Sequence, residues 1–233
     1  MFFNSKRRRR QQLLAEPFPN AWLEILNRNV RQYRLLSRAE QAKLRDRLRV
    51  FVAEKNWIGC AGLKVDDEMK VTIAAQACLL VLAIEHEYHY ERIRTILVYP
   101  GPISHPGKRR HHNSVDVGEY LHHGPVAVSW LNTRDGMEDG GNVVFHEFAH
   151  HLDDIDGEMD GTPPLGNDER VRRWDKVVTR EYAVLARASA RGEATLLDDY
   201  GATSRAEFFA VATECFFERP IALRQWYGEL YEV

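Results

Sequence analysis

One twelve-residue stretch, NVVFHEFAHHLD at 142–153, limits what this chain can fold into more than any other. Its apolar residues recur every four positions, at Val144, Phe148 and Leu152. This spacing predicts a helix that buries one stripe of side chains against a core. On such a helix His146 and His150 lie about 40° apart around the axis and about 6 Å apart along it, so their imidazole rings converge on one point.

Two converging imidazoles can bind one Zn²⁺ ion, each through a neutral ring nitrogen. Glu147 lies about 100° around the helix from His146, where it can hydrogen-bond a water held on the metal. The alternative is a surface helix whose histidines are solvated. The apolar neighbours of both histidines argue against that alternative. We therefore predict His146 and His150 as metal ligands and Glu147 as the residue that contacts the metal-held water.

A catalytic zinc site needs a third protein ligand and an open position for water. The motif itself does not supply this ligand, because HEFAHHLDDID has no histidine six residues after His150. The segment TSRAEFFAVATECFFERP, residues 203–220, offers Glu207 and Glu214, which share one face of a helix. Each lies among apolar residues and needs a partner, since burying an unpaired charge is costly. An arginine such as Arg205 or Arg219 is an alternative partner, and spacing alone does not decide between these possibilities.

The remaining sequence predicts an α+β chain that is mainly helical with a small β-sheet. Residues 1–12, which include the basic run Arg7–Arg10, are expected to form a disordered tail, and residues 13–233 a single domain. Helical patterns fill 19–90, where SRAE at 37–40 is a capping box that predicts a helix start. Two β-rich runs, TILVYP and PVAVSWL, predict the strands of the sheet.

Composition restricts the partners and the location. The net charge of −2 creates no strong field toward nucleic acid or an anionic membrane, so we expect direct contact with neither. The cysteines, Cys60, Cys78 and Cys215, form no CxxC pair and suit a reducing compartment. The most apolar run, VTIAAQACLLVLAI at 71–84, is too short to span a bilayer. We therefore expect a cytoplasmic protein.

Three segments together, HEFAHHLD, YGATSRAEFFAVATECFF and GPVAVSW, resemble the Mlc titration factor A family of bacterial zinc peptidases. That family is similar to the catalytic domain of anthrax lethal factor, a gluzincin. The resemblance is specific over 95–220 and looser over the N-terminal helices. It implies a zincin-like metallopeptidase domain in which 95–220 is the catalytic part and the HExxH helix carries the active site.

The resemblance also implies roles for single residues. His146, His150 and Glu207 match the three ligands of one Zn²⁺ ion per chain, and Glu147 matches the catalytic glutamate. Tyr200 matches a tyrosine near the metal, where its hydroxyl would help to stabilise an oxyanion.

Two positions stay open within the resemblance. Glu214 is left with a structural role or one behind the ligands. Some relatives carry a histidine that reaches the metal from the loop before GPVAVSW, and here RRHHNS places His111 or His112 there.

The implied function is zinc-dependent hydrolysis of peptide bonds by metal-activated water, with Glu147 as general base and with aminopeptidase activity as one form of it. The expected partner is then a peptide substrate. The alternative implied by the family name is a regulatory binding protein that sequesters a DNA-binding transcriptional repressor, with peptidase activity secondary.

Overall fold

The structure is a computed structural model, and it describes residues 2–84, 90–101, 124–135 and 141–233. Its α-helices, in chain order, are α1 Phe2–Ala15, α2 Asn20–Asn29, α3 Arg38–Glu54, α4 Asp67–Leu80, α5 Trp130–Asp135, α6 Val143–Asp153, α7 Asp168–Ala190, α8 Arg205–Glu218, α9 Pro220–Trp226 and α10 Gly228–Tyr231. The strands are β1 Asn56–Gly59, β2 Thr95–Tyr99 and β3 Val126–Ser129. Short 3-10 helices occupy Arg31–Leu35 and Asp199–Ala202. The chain is therefore mainly helical with a small sheet, as the sequence predicts.

The described residues divide into two compact units. The first comprises residues up to 101 together with 124–134, and the second comprises 135 and 141–233. The single domain over 13–233 stays a prediction.

The first unit packs helices beside a three-stranded parallel sheet with the order β1-β2-β3. Asn56 of β1 pairs with Thr95 of β2, and Ile96 of β2 pairs with Val126 of β3. A parallel pair needs a crossover connection, and the buried helix α4 lies in the one between β1 and β2. The sequence pattern predicts only helices over 19–90, and this prediction misses the strand β1. The strand consists of four residues, NWIG, which are too few to show a periodic pattern.

The N-terminal segment differs from the prediction of a disordered tail. The described residues of 1–12 lie in α1, and the Arg10 guanidinium donates two hydrogen bonds to Glu54 of α3, at 2.7 and 2.8 Å. Burial opposes ionisation of Glu54, but the bonds from Arg10 outweigh it and lower the pKa of that carboxyl to about 2. A bidentate arginine–carboxylate pair of this kind orders a segment that its composition alone would leave solvated.

The second unit is built around α6 and α8, which pack against each other. Val144 and Phe148 of α6 are fully buried, as the apolar stripe in the sequence predicts, while Leu152, the third residue of that stripe, is half-buried. Phe208 of α8 is also fully buried. The 3-10 turn Asp199–Ala202 leads into α8 and packs on it. These contacts bring the N-terminal half of α8 beside the histidines of α6.

No helix among the described residues is both long and apolar enough to cross a membrane. The cytoplasmic location stays a prediction.

Candidate metal centre

Helix α6 starts at a well-formed cap, which sets where its histidines lie. The Asn142 side-chain oxygen accepts hydrogen bonds from the backbone N–H groups of Val144 at 3.0 Å and Phe145 at 3.2 Å. Asparagine is a preferred residue at this position because its side chain satisfies N–H groups that have no partner within the helix. From this start, His146 and His150 fall one turn apart on a buried face, with 3% and 8% of their surfaces exposed.

Three side chains from α6 and α8 converge at this face. The Nε2 atoms of His146 and His150 lie 3.2 Å apart. Glu207 Oε2 lies 3.0 Å from His146 Nε2 and 3.4 Å from His150 Nε2. In the part of the chain that the structure describes, this is the one group of three histidine, cysteine or acidic side chains whose ligand atoms all lie within 4.8 Å of one another.

The chemistry of this group fits a zinc ion. Two imidazole nitrogens and one carboxylate oxygen are a donor set found in catalytic zinc sites. Glu207 Oε2 is buried and makes no well-aligned hydrogen bond with any described residue, although it faces both rings. Burial alone raises the pKa of Glu207, but the two imidazoles outweigh burial and lower it well below its usual range. Glu207 is therefore held in the ionised form that a cation requires.

Two further polar side chains, Glu147 and Tyr200, lie near this cluster. Glu147 follows His146 on α6, and its Oε1 is buried with no hydrogen-bond partner among the described residues. Burial raises the pKa of Glu147, while the neighbouring imidazoles oppose that shift. The Tyr200 hydroxyl lies 3.4 Å from Glu207 Oε1, and its ring centroid lies 6.0 Å from that of His146. The Tyr200 hydroxyl thus lies beside Glu207, and Glu147 is near enough to both histidines to interact with them electrostatically.

Glu214 lies behind the group rather than in it. Its Oε1 lies 2.7 Å from Nδ1 of His146, on the opposite side of that ring from Glu207. Burial lowers the pKa of His146, but the carboxylates of Glu214 and Glu207 outweigh burial and raise it well above its usual value. The arginine alternative does not apply to Arg205, whose guanidinium pairs with Asp175 at 2.9 Å.

The structure therefore brings together His146, His150 and Glu207, with Glu147 and Tyr200 beside them. His111 and His112 lie outside the described residues. The start of α6 near Asn142 is predicted from the sequence, but the contribution of Asn142 to the site is not. An asparagine just before an apolar helical run is a cap signature, and this pattern could have indicated its contribution.

A helix with an HExxH sequence, joined by a carboxylate from a second helix, is the arrangement typical of metallopeptidases. Comparison with known sequences agrees with this class. Residues 4–233 match the model of the glucose-regulated metallo-peptidase M90 family. The chain belongs to this family.

Individual relatives extend the likeness over most of the chain. An uncharacterised protein of Synechocystis sp. is 38% identical over 236 residues, covering 97% of this chain and 86% of the relative. Mlc titration factor A of Klebsiella pneumoniae subsp. pneumoniae is 31% identical over 200 residues, and that of Escherichia coli is 28% identical over 195. Both alignments cover 79% of this chain and 73% of the relative. The resemblance stated from the sequence motifs is thereby confirmed.

Proposed function

We propose that this chain is a zinc-dependent metallopeptidase with a zincin-like domain of the gluzincin type. One observation carries the proposal: His146 Nε2, His150 Nε2 and Glu207 Oε2 converge at a buried position beside the unpaired carboxylate of Glu147. A structural zinc site has no use for such a carboxylate, because all its ligand positions are closed by protein. Membership of a metallopeptidase family supports the same conclusion.

Three residues, His146, His150 and Glu207, would hold the zinc ion. A bound zinc ion lowers the pKa of water and polarises a carbonyl group. His146 and His150 would present neutral Nε2 atoms to it, and Glu207 would contribute the negative charge.

Glu147 is the proposed general base. Its buried Oε1 has no hydrogen bond to any described residue and is therefore free to accept a proton from the attacking water. The same carboxylic acid can then pass this proton to the leaving amine. Tyr200, whose hydroxyl already lies near the ligand carboxylate, is the proposed donor to the oxyanion that forms on the peptide carbonyl.

The test is Glu147→Gln, which keeps the shape of the side chain but removes the base. We expect the zinc content to stay at one ion per chain, while peptide cleavage falls by roughly 10²- to 10⁴-fold, the usual contribution of a general base. Zinc content is measured by elemental analysis, and cleavage by mass spectrometry of a peptide-library digest. Glu158→Gln changes an exposed carboxylate in the loop after α6 and is the matched control, expected to cleave normally.

A zinc-loaded wild-type protein that cleaves no peptide in the library would refute the proposal, as would full activity of Glu147→Gln. The aminopeptidase form of the proposal is tested in the same digest with peptides whose N-termini are free or acetylated. Cleavage only of the free peptides, one residue at a time from the N-terminus, would support it.

The second candidate is a regulatory binding protein that sequesters a DNA-binding transcriptional repressor. It is favoured by relatives at about 30% identity that carry the name Mlc titration factor A. Under this candidate Glu147→Gln keeps full affinity for a repressor of the Mlc type, measured by calorimetry. The two candidates are compatible if binding persists while cleavage is lost.

A further inference from the structure

Glu214 contacts α6 with both of its carboxylate oxygens. Oε1 lies 2.7 Å from Nδ1 of His146, and Oε2 accepts the backbone N–H of Asn142. The residue is buried, with 4% of its surface exposed. A buried carboxylate that accepts two hydrogen bonds from one neighbouring helix is held in a single orientation, because turning it would leave at least one buried N–H unpaired.

The contact with His146 determines which ring nitrogen can bind a metal. A neutral imidazole carries one N–H donor and one lone pair. An ionised carboxylate can only accept, so the proton of His146 must lie on Nδ1 when Glu214 is its partner. The lone pair is then on Nε2, the atom that faces Glu207 and His150. The partner also makes the ring a stronger electron donor.

The contact with Asn142 links the same carboxylate to the start of α6. Asn142 caps this helix through its side-chain oxygen, and its side-chain amide donates to Glu218 Oε1 at 2.9 Å. Glu207 and Glu214 are seven residues apart on α8, a separation of about two turns. Helix α8 therefore contacts α6 at the cap residue Asn142 and at the proposed ligand His146, and it contributes the proposed ligand Glu207.

We propose that Glu214 is the positioning residue of the metal centre, which fixes the tautomer and ring orientation of His146 and holds the first turn of α6 on α8. This inference rests on the proposed zinc site. Glu214 is not itself a ligand, because it contacts the side of the His146 ring that faces away from His150 and Glu207.

The experiment compares Glu214→Gln with Glu218→Gln. An amide has one acceptor oxygen, so the glutamine introduced at position 214 can serve His146 or Asn142 but not both. Glu218→Gln is the matched control, since Glu218 lies on the same helix and accepts a hydrogen bond from Asn142, whereas His146 contacts Glu214, Glu207 and His150. Zinc affinity is measured by competition with a chromophoric chelator, and folding by circular dichroism of the metal-free proteins.

We expect Glu214→Gln to weaken zinc binding by roughly 10- to 100-fold, the usual effect of losing the partner of a metal-bound histidine. Glu218→Gln should change the affinity by less than about threefold on the same scale. In the zinc-loaded wild type, the Nδ1 proton of His146 should give a downfield resonance coupled to its labelled ring nitrogen. That resonance should shift or disappear in Glu214→Gln and stay in place in Glu218→Gln.

Equal zinc affinity of Glu214→Gln and wild type would overturn the positioning role and leave the proposed peptidase standing. Equal losses in both variants would also overturn it, because helix packing would then set the affinity. A wild-type protein that binds no zinc would overturn the proposed function and this inference with it. If Glu214→Gln does not fold, Glu214→Asp decides: its shorter carboxylate should retain the Nδ1 proton resonance with reduced affinity, and wild-type affinity would refute the role.

Discussion

Replacing Gly161 with alanine is expected to disturb the fold and the metal centre together. Gly161 adopts φ +81°, and a Cβ added there would lie 2.4 Å from the backbone oxygen of Arg205. Arg205 is the first residue of α8, and Glu207 is in the same turn. Two hydrogen bonds hold Gly161 at this place: its N–H donates to Asp153 at 2.9 Å, and its carbonyl accepts from Trp174 at 2.9 Å.

The magnitude follows from two separate costs. A left-handed conformation costs an L-residue about 1–2 kcal/mol. Relieving the Cβ contact from 2.4 Å to 3.0 Å requires a shift of about 0.6 Å, which stretches both hydrogen bonds of Gly161. Weakening such bonds costs about 0.5–1.5 kcal/mol each. We therefore expect Gly161→Ala to lower the free energy of unfolding by about 3 kcal/mol.

Gly166 provides a matched control, because it has the same φ of +81° and no atom within 4 Å of an added Cβ. Gly166→Ala should cost only the conformational term of about 1–2 kcal/mol. Urea unfolding of the metal-free proteins at neutral pH measures both values. Gly161→Ala should also weaken zinc binding, since a shifted first turn of α8 moves Glu207, and Gly166→Ala should not. Equal destabilisation by the two substitutions would refute the reasoning.

Two further predictions concern the helix caps and the thiols. Ser204→Ala removes the side chain that accepts the N–H of Glu207 at 3.1 Å, and should cost about 1 kcal/mol of stability and weaken zinc binding, measured by urea unfolding and chelator competition. Ser37→Ala removes the equivalent cap of α3 and should cost a similar amount without any effect on zinc; a zinc effect there would contradict the assignment of Glu207. Burial raises the pKa of the Cys78 thiol to about 12 and that of the Cys215 thiol to about 11. A disulfide reagent should therefore modify only the half-buried Cys60 in the native protein. After unfolding, it should modify all three cysteines. Rapid reaction of Cys78 in the native protein would contradict the burial of this thiol.

Local sequence patterns predict helix α6 and the shared face of its two histidines. Val144 and Phe148 of the apolar stripe are buried as expected, Leu152 is half-buried, and His146 and His150 share one face of α6. Both results depend only on helical periodicity, which neighbouring residues define among themselves. The strand β1 and the helix α1 could not be predicted in this way, because β1 is stabilised by pairing with β2 and α1 by the contact of Arg10 with Glu54.

The tetrapeptide SRAE occurs twice, and its two copies form the same local helix cap but place the glutamate carboxylate against different partners. In both copies the serine side chain caps a helix by accepting the N–H of the glutamate, at α3 and at α8. At α3 the carboxylate of Glu40 returns to the N–H of Ser37 and completes the capping box. At α8 the carboxylate of Glu207 turns instead to the imidazoles of α6.

The sequence by itself therefore determined that a helix begins at each SRAE and that two histidines of α6 share a face, because both depend on backbone geometry within a few residues. Only the tertiary structure decided that Glu207 faces these histidines and that Glu214 lies behind one of them. The physical reason is that a buried carboxylate takes the strongest donor or cation within its reach, and which groups lie within reach is set by how α6 packs on α8.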